Sequence, residues 1–247
     1  MNLIGFYNYT VILTYLGAAA AVCGIFFSVS GYPFWGVICL LIAGLTDMFD
    51  GKVASTMKRT DAEKAFGIQI DSLCDLVSFG VLPAMMFHRR LMEGGMTGFI
   101  AYIPLIICVF AAIRLAKFNV DDRQSENFLG LATPACALWC GSLIFAADHG
   151  VMSFAMMLHD TLIIPVASVV LALMMISEIP MFSMKFKKGS AYNRVRFYFI
   201  AMVAAISAAT LILKINWAYI VFLSLTCYIL FNILLAAFSL RIVRKDR

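Results

Sequence analysis

The chain has 247 residues, 63% of them hydrophobic and 13% charged, with a mean hydropathy of +0.93. Such values exclude an ordinary soluble globular domain. The net charge of +5 comes with no basic stretch set beside an aromatic reading surface, which argues against a nucleic-acid partner.

Eight apolar stretches reach or approach the roughly 20 residues that cross a bilayer as a helix. In chain order they cover about 9–30, 33–54, 67–87, 97–118, 130–147, 161–179, 197–214 and 217–240. The opening MNLIGFYNYT lacks the basic start of a cleavable signal peptide. Connections between the stretches are short, and no long-period repeat or low-complexity linker interrupts them. The expectation is one all-α integral membrane domain over 1–247, a polytopic bundle of about eight transmembrane helices. If the N-terminus is cytoplasmic and the spans alternate, every Lys and Arg falls inside except Arg89, Arg90 and Lys214. That asymmetry is a positive-inside signal with both termini cytoplasmic.

The second and third stretches carry the chemistry. LTDMFDGKVAS (45–55) puts Asp47 and Asp50 near the end of one span, and GIQIDSLCDLVSFG (67–80) puts Asp71 and Asp75 near the start of the next. An Asp at the centre of a membrane helix costs about 2.5–3.5 kcal/mol, and less toward the interface. Nothing structural offsets four of them. At about 100° per residue, Asp47, Asp50, Gly51 and Ala54 share one helix face. Gly67, Asp71 and Asp75, spaced four apart, form a stripe on the other helix. Packed antiparallel, the two spans bring four carboxylates to one depth near the cytoplasmic side. Gly51, Ala54 and Gly67 remove side-chain bulk beside them.

Four ionised carboxylates in one place require cations, and hard oxygen ligands select Mg²⁺, Mn²⁺ or Ca²⁺. Two such ions about 3.5–4 Å apart are a recurring device for displacement at phosphorus. A lipid substrate bearing a diphosphate fits such a centre. The same carboxylates could instead line the cation pathway of a transporter, but all four lie toward one membrane face and no acidic or amide chain continues outward. The seven cysteines form no C-x-x-C pair and read as packing residues. His88, His149 and His159 lie near the outer ends of spans.

Written out, the pattern is D-x-x-D-G-x-x-A, an interval, then G-x-x-x-D-x-x-x-D. It resembles the signature of the CDP-alcohol phosphotransferases. DSLCDLVSFGVLPA (71–84), IRLAKFNV (113–120) and FLGLATPACA (128–137) are similar to segments of the members that use serine. The motif-bearing core covers about 5–140, the helices over 161–240 matching mainly in character. The resemblance implies a homodimer in the cell membrane with a pair of divalent ions and a site facing the cytoplasm. It implies that Asp47, Asp50 and Asp71 ligate metal, and that Asp75 completes the metal site and acts as general base. Asn8, Thr10, Gly51, Ser55 and Gly67 would contact CDP-diacylglycerol. Arg114, Lys117 and Asn119, at the inner end of the fourth span, are candidates for binding serine, with snorkelling or helix capping as the plain alternatives. Gly130 and Pro134 set the entry geometry of the fifth span, in a segment that the resemblance places by the polar-headgroup pocket. The expected reaction transfers a phosphatidyl group from CDP-diacylglycerol to L-serine with release of CMP; glycerol 3-phosphate or inositol phosphate are alternative acceptors. One departure stands out. Ser55 occupies a position where the family has Arg, and the interval before Gly67 is longer than usual, with Lys58, Arg59 and Lys64 as substitute charges.

Overall fold

The computed structural model describes residues 5–7, 9–56, 58–120, 128–149, 153–181, 192–213 and 218–245. Apart from one two-residue strand pair, the regular structure in it is helical. Helix α1 (Tyr9–Val29) turns back through Gly31, at φ +86°, into α2 (Pro33–Ser55). The two pack closely because small residues line the seam. A Cβ on Gly24 would sit 2.8 Å from Cys39 Cβ, closer than side chains tolerate. Small residues serve this purpose wherever helices associate in lipid.

The third expected span is longer than its apolar stretch. Thr60 begins α3 (Asp61–Asp75) with a reciprocal cap: its hydroxyl accepts from Glu63 N–H, and the Glu63 carboxylate accepts from Thr60 N–H. The helix therefore starts at Asp61, ahead of the expected 67. It then passes through a π-helical turn (Leu76–Val81) into α4 (Leu82–Glu93) without stopping. Pro83 explains that turn. Lacking an N–H, it cannot donate back to Phe79, and Leu82 N–H reaches Val77 O, five residues back. The proline thus widens the helix without breaking it. The 33-residue rod Asp61–Glu93 is about 50 Å long, well beyond the ~30 Å hydrocarbon core.

A 3₁₀ segment (Gly98–Leu105) leads into α5 (Ile106–Phe118), followed by β1 (Phe128–Leu129), α6 (Thr133–His149), α7 (Ser153–Ile176), β2 (Pro180–Met181), α8 (Tyr192–Ile212) and α9 (Ala218–Lys245). Continuous rods count as one, so the described residues contain eight helical rods, one over each expected stretch, with α7 beginning at Ser153 where 161 was expected. Three of them, Val11–Val29, Asp61–Glu93 and Gly98–Phe118, are long and apolar enough to cross a membrane. The others are apolar but shorter or carry charge, as α2 does at Asp47, Asp50 and Lys52. Phe79, Leu82, Phe87, Ile107 and Leu131 form part of a shared core. Only 28% of the Val11–Val29 window is buried, and Leu16 and Phe26 stay exposed. Apolar surface left outward is what a bilayer accommodates.

The fifth expected span begins late, at Thr133 where 130 was expected, because 128–131 are held extended. β1 pairs antiparallel with β2, Gly130 N–H donates to Ile179 O (2.9 Å), and Leu131 N–H donates to Met174 O (2.9 Å). Gly130 is at φ +71°, and a Cβ there would lie 2.7 Å from both Met175 O and Ser177 O. Gly130→Ala is accordingly expected to cost about 2 kcal/mol or more, combining left-handed strain with displaced carbonyls. Thermal unfolding in detergent should show a clear fall in Tm; an unchanged Tm would mean the clamp adds nothing to stability.

The seven cysteines are free. His88 makes a 2.7 Å hydrogen bond with Ala101 O and lies against the Tyr102 ring, an interhelical contact well away from the acidic residues.

Candidate active site

Helices α2 and α3 bring their acidic stripes face to face. Carboxylate oxygens of Asp47, Asp71 and Asp75 all lie within 4.8 Å of one another. The Asp47 and Asp75 carboxyls are within hydrogen-bonding reach. Like charges that close repel strongly in a half-buried setting, and a cation among them removes the conflict. The donor set is all oxygen and comes from two rigid helices. It fits a hard divalent ion such as Mg²⁺ or Mn²⁺.

Asp50 stands apart from that trio. It is buried, and its Oδ2 accepts a 2.9 Å hydrogen bond from Thr14 Oγ1 on α1. Thr14 was not singled out in the sequence, yet a signal existed. It lies one turn beyond Thr10 on the same face of an otherwise apolar helix.

Two cavities open beside the acidic residues. The first, about 310 Å³, is lined by Thr14, Asp50, Gly51, Gly67 and Asp71, with Arg59 and Lys64 at its border. A Cβ on Gly51 would meet nothing within 4 Å, while one on Gly67 would meet Arg59 Nη1 at 3.4 Å. The extended start of α3 thus carries Arg59 over the cavity. Lys64, also ion-paired with Asp61 at 3.0 Å, lies one turn before Gly67. The second cavity, about 290 Å³, is lined by Asp71, Asp75, Arg114, Asn119, Thr133 and Pro134, among others. Asp71 borders both. The acidic cluster therefore stands between a space with two basic side chains and a space with one.

Arg114 is buried, and its Nη1 donates to Leu129 O (2.8 Å) and Met175 O (3.3 Å). It ties the β1 segment to the end of α7 while forming part of the second cavity's wall. Asn119 Nδ2 donates to Ser72 Oγ (2.8 Å), which in turn donates to Ile68 O (3.1 Å). This links the end of α5 to α3 across the same cavity. Lys117 is exposed and does not line it. The Ser55 hydroxyl donates to Lys52 O at 2.6 Å on an exposed turn, outside the first cavity's lining. Of the three substitute charges, Arg59 and Lys64 reach that cavity and Lys58 does not. Asn8 lies outside the described residues; Thr10 is in the first turn of α1, where only the backbone is described.

A family model for the CDP-alcohol phosphatidyltransferases matches residues 7–170, a stretch that includes every acidic residue above and both cavities. The chain belongs to that family. The chain is 29% identical over 229 residues to the CDP-diacylglycerol–serine O-phosphatidyltransferase of Mycobacterium leprae, covering 90% of this chain and 73% of the relative. It is 28% identical over 158 residues to the archaetidylserine synthase of Methanothermobacter thermautotrophicus, covering 64% and 66%. With the CDP-diacylglycerol–serine O-phosphatidyltransferase of Helicobacter pylori J99 it shares 35% identity over 116 residues, 45% and 47% of the two chains. The match thus spans about half to three quarters of these relatives' lengths. No solved structure matches the chain significantly.

Proposed function

We propose that the protein transfers the phosphatidyl group of CDP-diacylglycerol to the hydroxyl of L-serine, giving phosphatidylserine and CMP. The observation that carries this reading is the pair of cavities sharing Asp71. One offers Arg59, Lys64 and glycine-lined space for a nucleoside diphosphate. The other offers a small polar chamber for the acceptor. The serine relatives favour this acceptor. So does the wall of the second cavity, where Arg114 is the one basic side chain among the described residues and its Nη1 is committed to two carbonyls. A phosphorylated acceptor such as glycerol 3-phosphate would lack the clustered donors its dianion needs.

Asp47, Asp50, Asp71 and Asp75 would hold two divalent cations, Mg²⁺ or Mn²⁺, which when bound neutralise the diphosphate and favour charge developing on the departing CMP. The chain's own residues do the rest. Gly51 and Gly67 leave room for the nucleotide, and Arg59 and Lys64 attract its phosphates. Asp75, which lines only the acceptor cavity, takes the proton from the serine hydroxyl, a weak nucleophile at neutral pH. The oxygen attacks the phosphorus bearing diacylglycerol; the bond to CMP breaks. The whole chain acts as one membrane domain with its termini and site on the cytoplasmic side of the cell membrane, as a homodimer.

Purified protein given CDP-diacylglycerol and, separately, L-serine, glycerol 3-phosphate or inositol phosphate tests the acceptor. Phosphatidylserine should be the one lipid product. Phosphatidylglycerol phosphate or a phosphorylated inositol lipid in its place would transfer the reading to those acceptors. Arg59→Ala combined with Lys64→Ala should raise the KM for CDP-diacylglycerol about five- to tenfold, as loss of one half-buried and one exposed charge-assisted contact does. The KM for serine should stay within about twofold. A KM for CDP-diacylglycerol unchanged by both substitutions would remove these residues from nucleotide binding.

A further inference from the structure

We propose that Thr14 is a positioning residue of the reaction: its hydroxyl fixes the rotation of the Asp50 carboxylate, and so the direction from which Asp50 meets a cation. This role rests on the two-cation reading above and deepens it.

The first observation is the bond itself. Thr14 Oγ1 donates to Asp50 Oδ2 at 2.9 Å, between two buried residues 36 positions apart on different helices. Among the described residues it is the one hydrogen bond from a hydroxyl or amide side chain to any of the four carboxylates.

The second observation is that the hydroxyl does not do what helical hydroxyls do elsewhere in this chain. Ser28, Ser72, Ser168 and Thr226 each donate to the carbonyl four residues back on their own helix. That local acceptor is the usual resting place of a hydroxyl in an apolar helix. Thr14 forgoes it and crosses from α1 to α2.

The third is the seam that sets the register of the crossing. A Cβ on Gly36 would run into Ser28 Oγ, one on Gly24 into Cys39 Cβ, and one on Gly17 into Thr46 Oγ1. Along both helices these contacts recur at separations of three, four and seven residues, the repeat of a single helix face. Thr14 and Asp50 form the next rung, at the end of the seam nearest the acidic cluster. Glycine lets the two backbones approach closely, so a hydroxyl one bond beyond Cβ reaches the carboxylate.

These three observations give Thr14 a role in the chemistry. Asp50 lines the first cavity and not the second, and it stands outside the trio of Asp47, Asp71 and Asp75. A carboxylate free to rotate is an undirected ligand, whereas a donor fixed on one oxygen holds its plane. Hydrogen-bond partners of ligating groups orient them, and losing one costs about 10–100-fold in metal affinity or activity. Thr14 thus acts through Asp50 on the cation beside the first cavity. A bridge that merely packed α1 on α2 would leave cation affinity alone.

The test uses the full-length protein in detergent and reads Mn²⁺ binding by electron paramagnetic resonance without substrate. Thr14→Val keeps the shape, removes the hydroxyl and suits an apolar seam. It should raise the Kd for Mn²⁺ about tenfold or more. The Mn²⁺ concentration that half-saturates CMP release should rise by the same factor, while the KM for serine at saturating Mn²⁺ stays within about twofold. Thr14→Ser, which restores the hydroxyl, should hold the Mn²⁺ Kd within about threefold. Thr14→Ala should repeat the loss and decides the matter if the Val variant does not fold. The role is overturned if a folded variant lacking the hydroxyl binds Mn²⁺ as the unsubstituted protein does. It is equally overturned if Thr14→Ser fails as Val does, or if the serine KM rises in step with the Mn²⁺ Kd, which marks general loosening of the site. An unsubstituted protein that binds no Mn²⁺ overturns the two-cation reading itself, and the role of Thr14 with it.

Discussion

Asp71→Asn is expected to reduce CMP release by about 10²–10³-fold or more, the scale seen when a preorganised electrostatic contact to a reacting phosphoryl group is removed. Asp71 is the acidic residue that borders both cavities, and its carboxylate oxygen lies within 4.8 Å of those of Asp47 and Asp75. Asn keeps the shape and one oxygen but removes the charge that a hard cation requires. The variant should therefore fold normally and bind Mn²⁺ more weakly, a property readable by electron paramagnetic resonance without any turnover. Treatment of the unsubstituted protein with chelator should produce the same loss, restored by Mg²⁺ or Mn²⁺. Full activity after chelation would end the metal reading of the acidic cluster.

Asp75→Asn should behave differently. Asp75 lines the second cavity, proposed for the acceptor, and not the first. Asp47, Asp50 and Asp71 remain to hold cation and nucleotide. The turnover number should fall about 10²–10⁴-fold, the usual contribution of a positioned general base, while the KM for CDP-diacylglycerol changes only about threefold or less. Turnover near the original rate would show that another group takes the serine proton. A large rise in nucleotide KM with modest loss of turnover would make Asp75 mainly a metal ligand.

The helical architecture was readable because a bilayer imposes long apolar stretches, and the acidic centre was readable because spacings of three and four place residues on one helix face. Asp47, Asp71 and Asp75 converge as those spacings require. What escaped notice falls into two kinds. Some signals were present and passed over. Thr60-Asp61-Ala62-Glu63 spells a capping box that starts α3 early, and Pro83 in a long apolar run announces a local change of helical pitch. Others had no signature in the residues. Arg114 meets main-chain carbonyls at Leu129 and Met175, and every residue has such a carbonyl. The β1–β2 clamp pairs Phe128 with Met181 and Leu129 with Pro180, strands of two residues each and too short for an alternating pattern to show. The assignment of Ser55 to the nucleotide followed from its family position. Here its hydroxyl caps its own helix, and the lengthened loop brings Arg59 to the cavity instead.

The measurement that bears most directly on the whole account is CMP release from CDP-diacylglycerol by the purified protein, followed with and without L-serine and with and without divalent cation. CMP should appear only when serine and cation are both present, one CMP for each phosphatidylserine formed. Release that is indifferent to serine, or absent under every combination while the protein remains folded, would contradict the account.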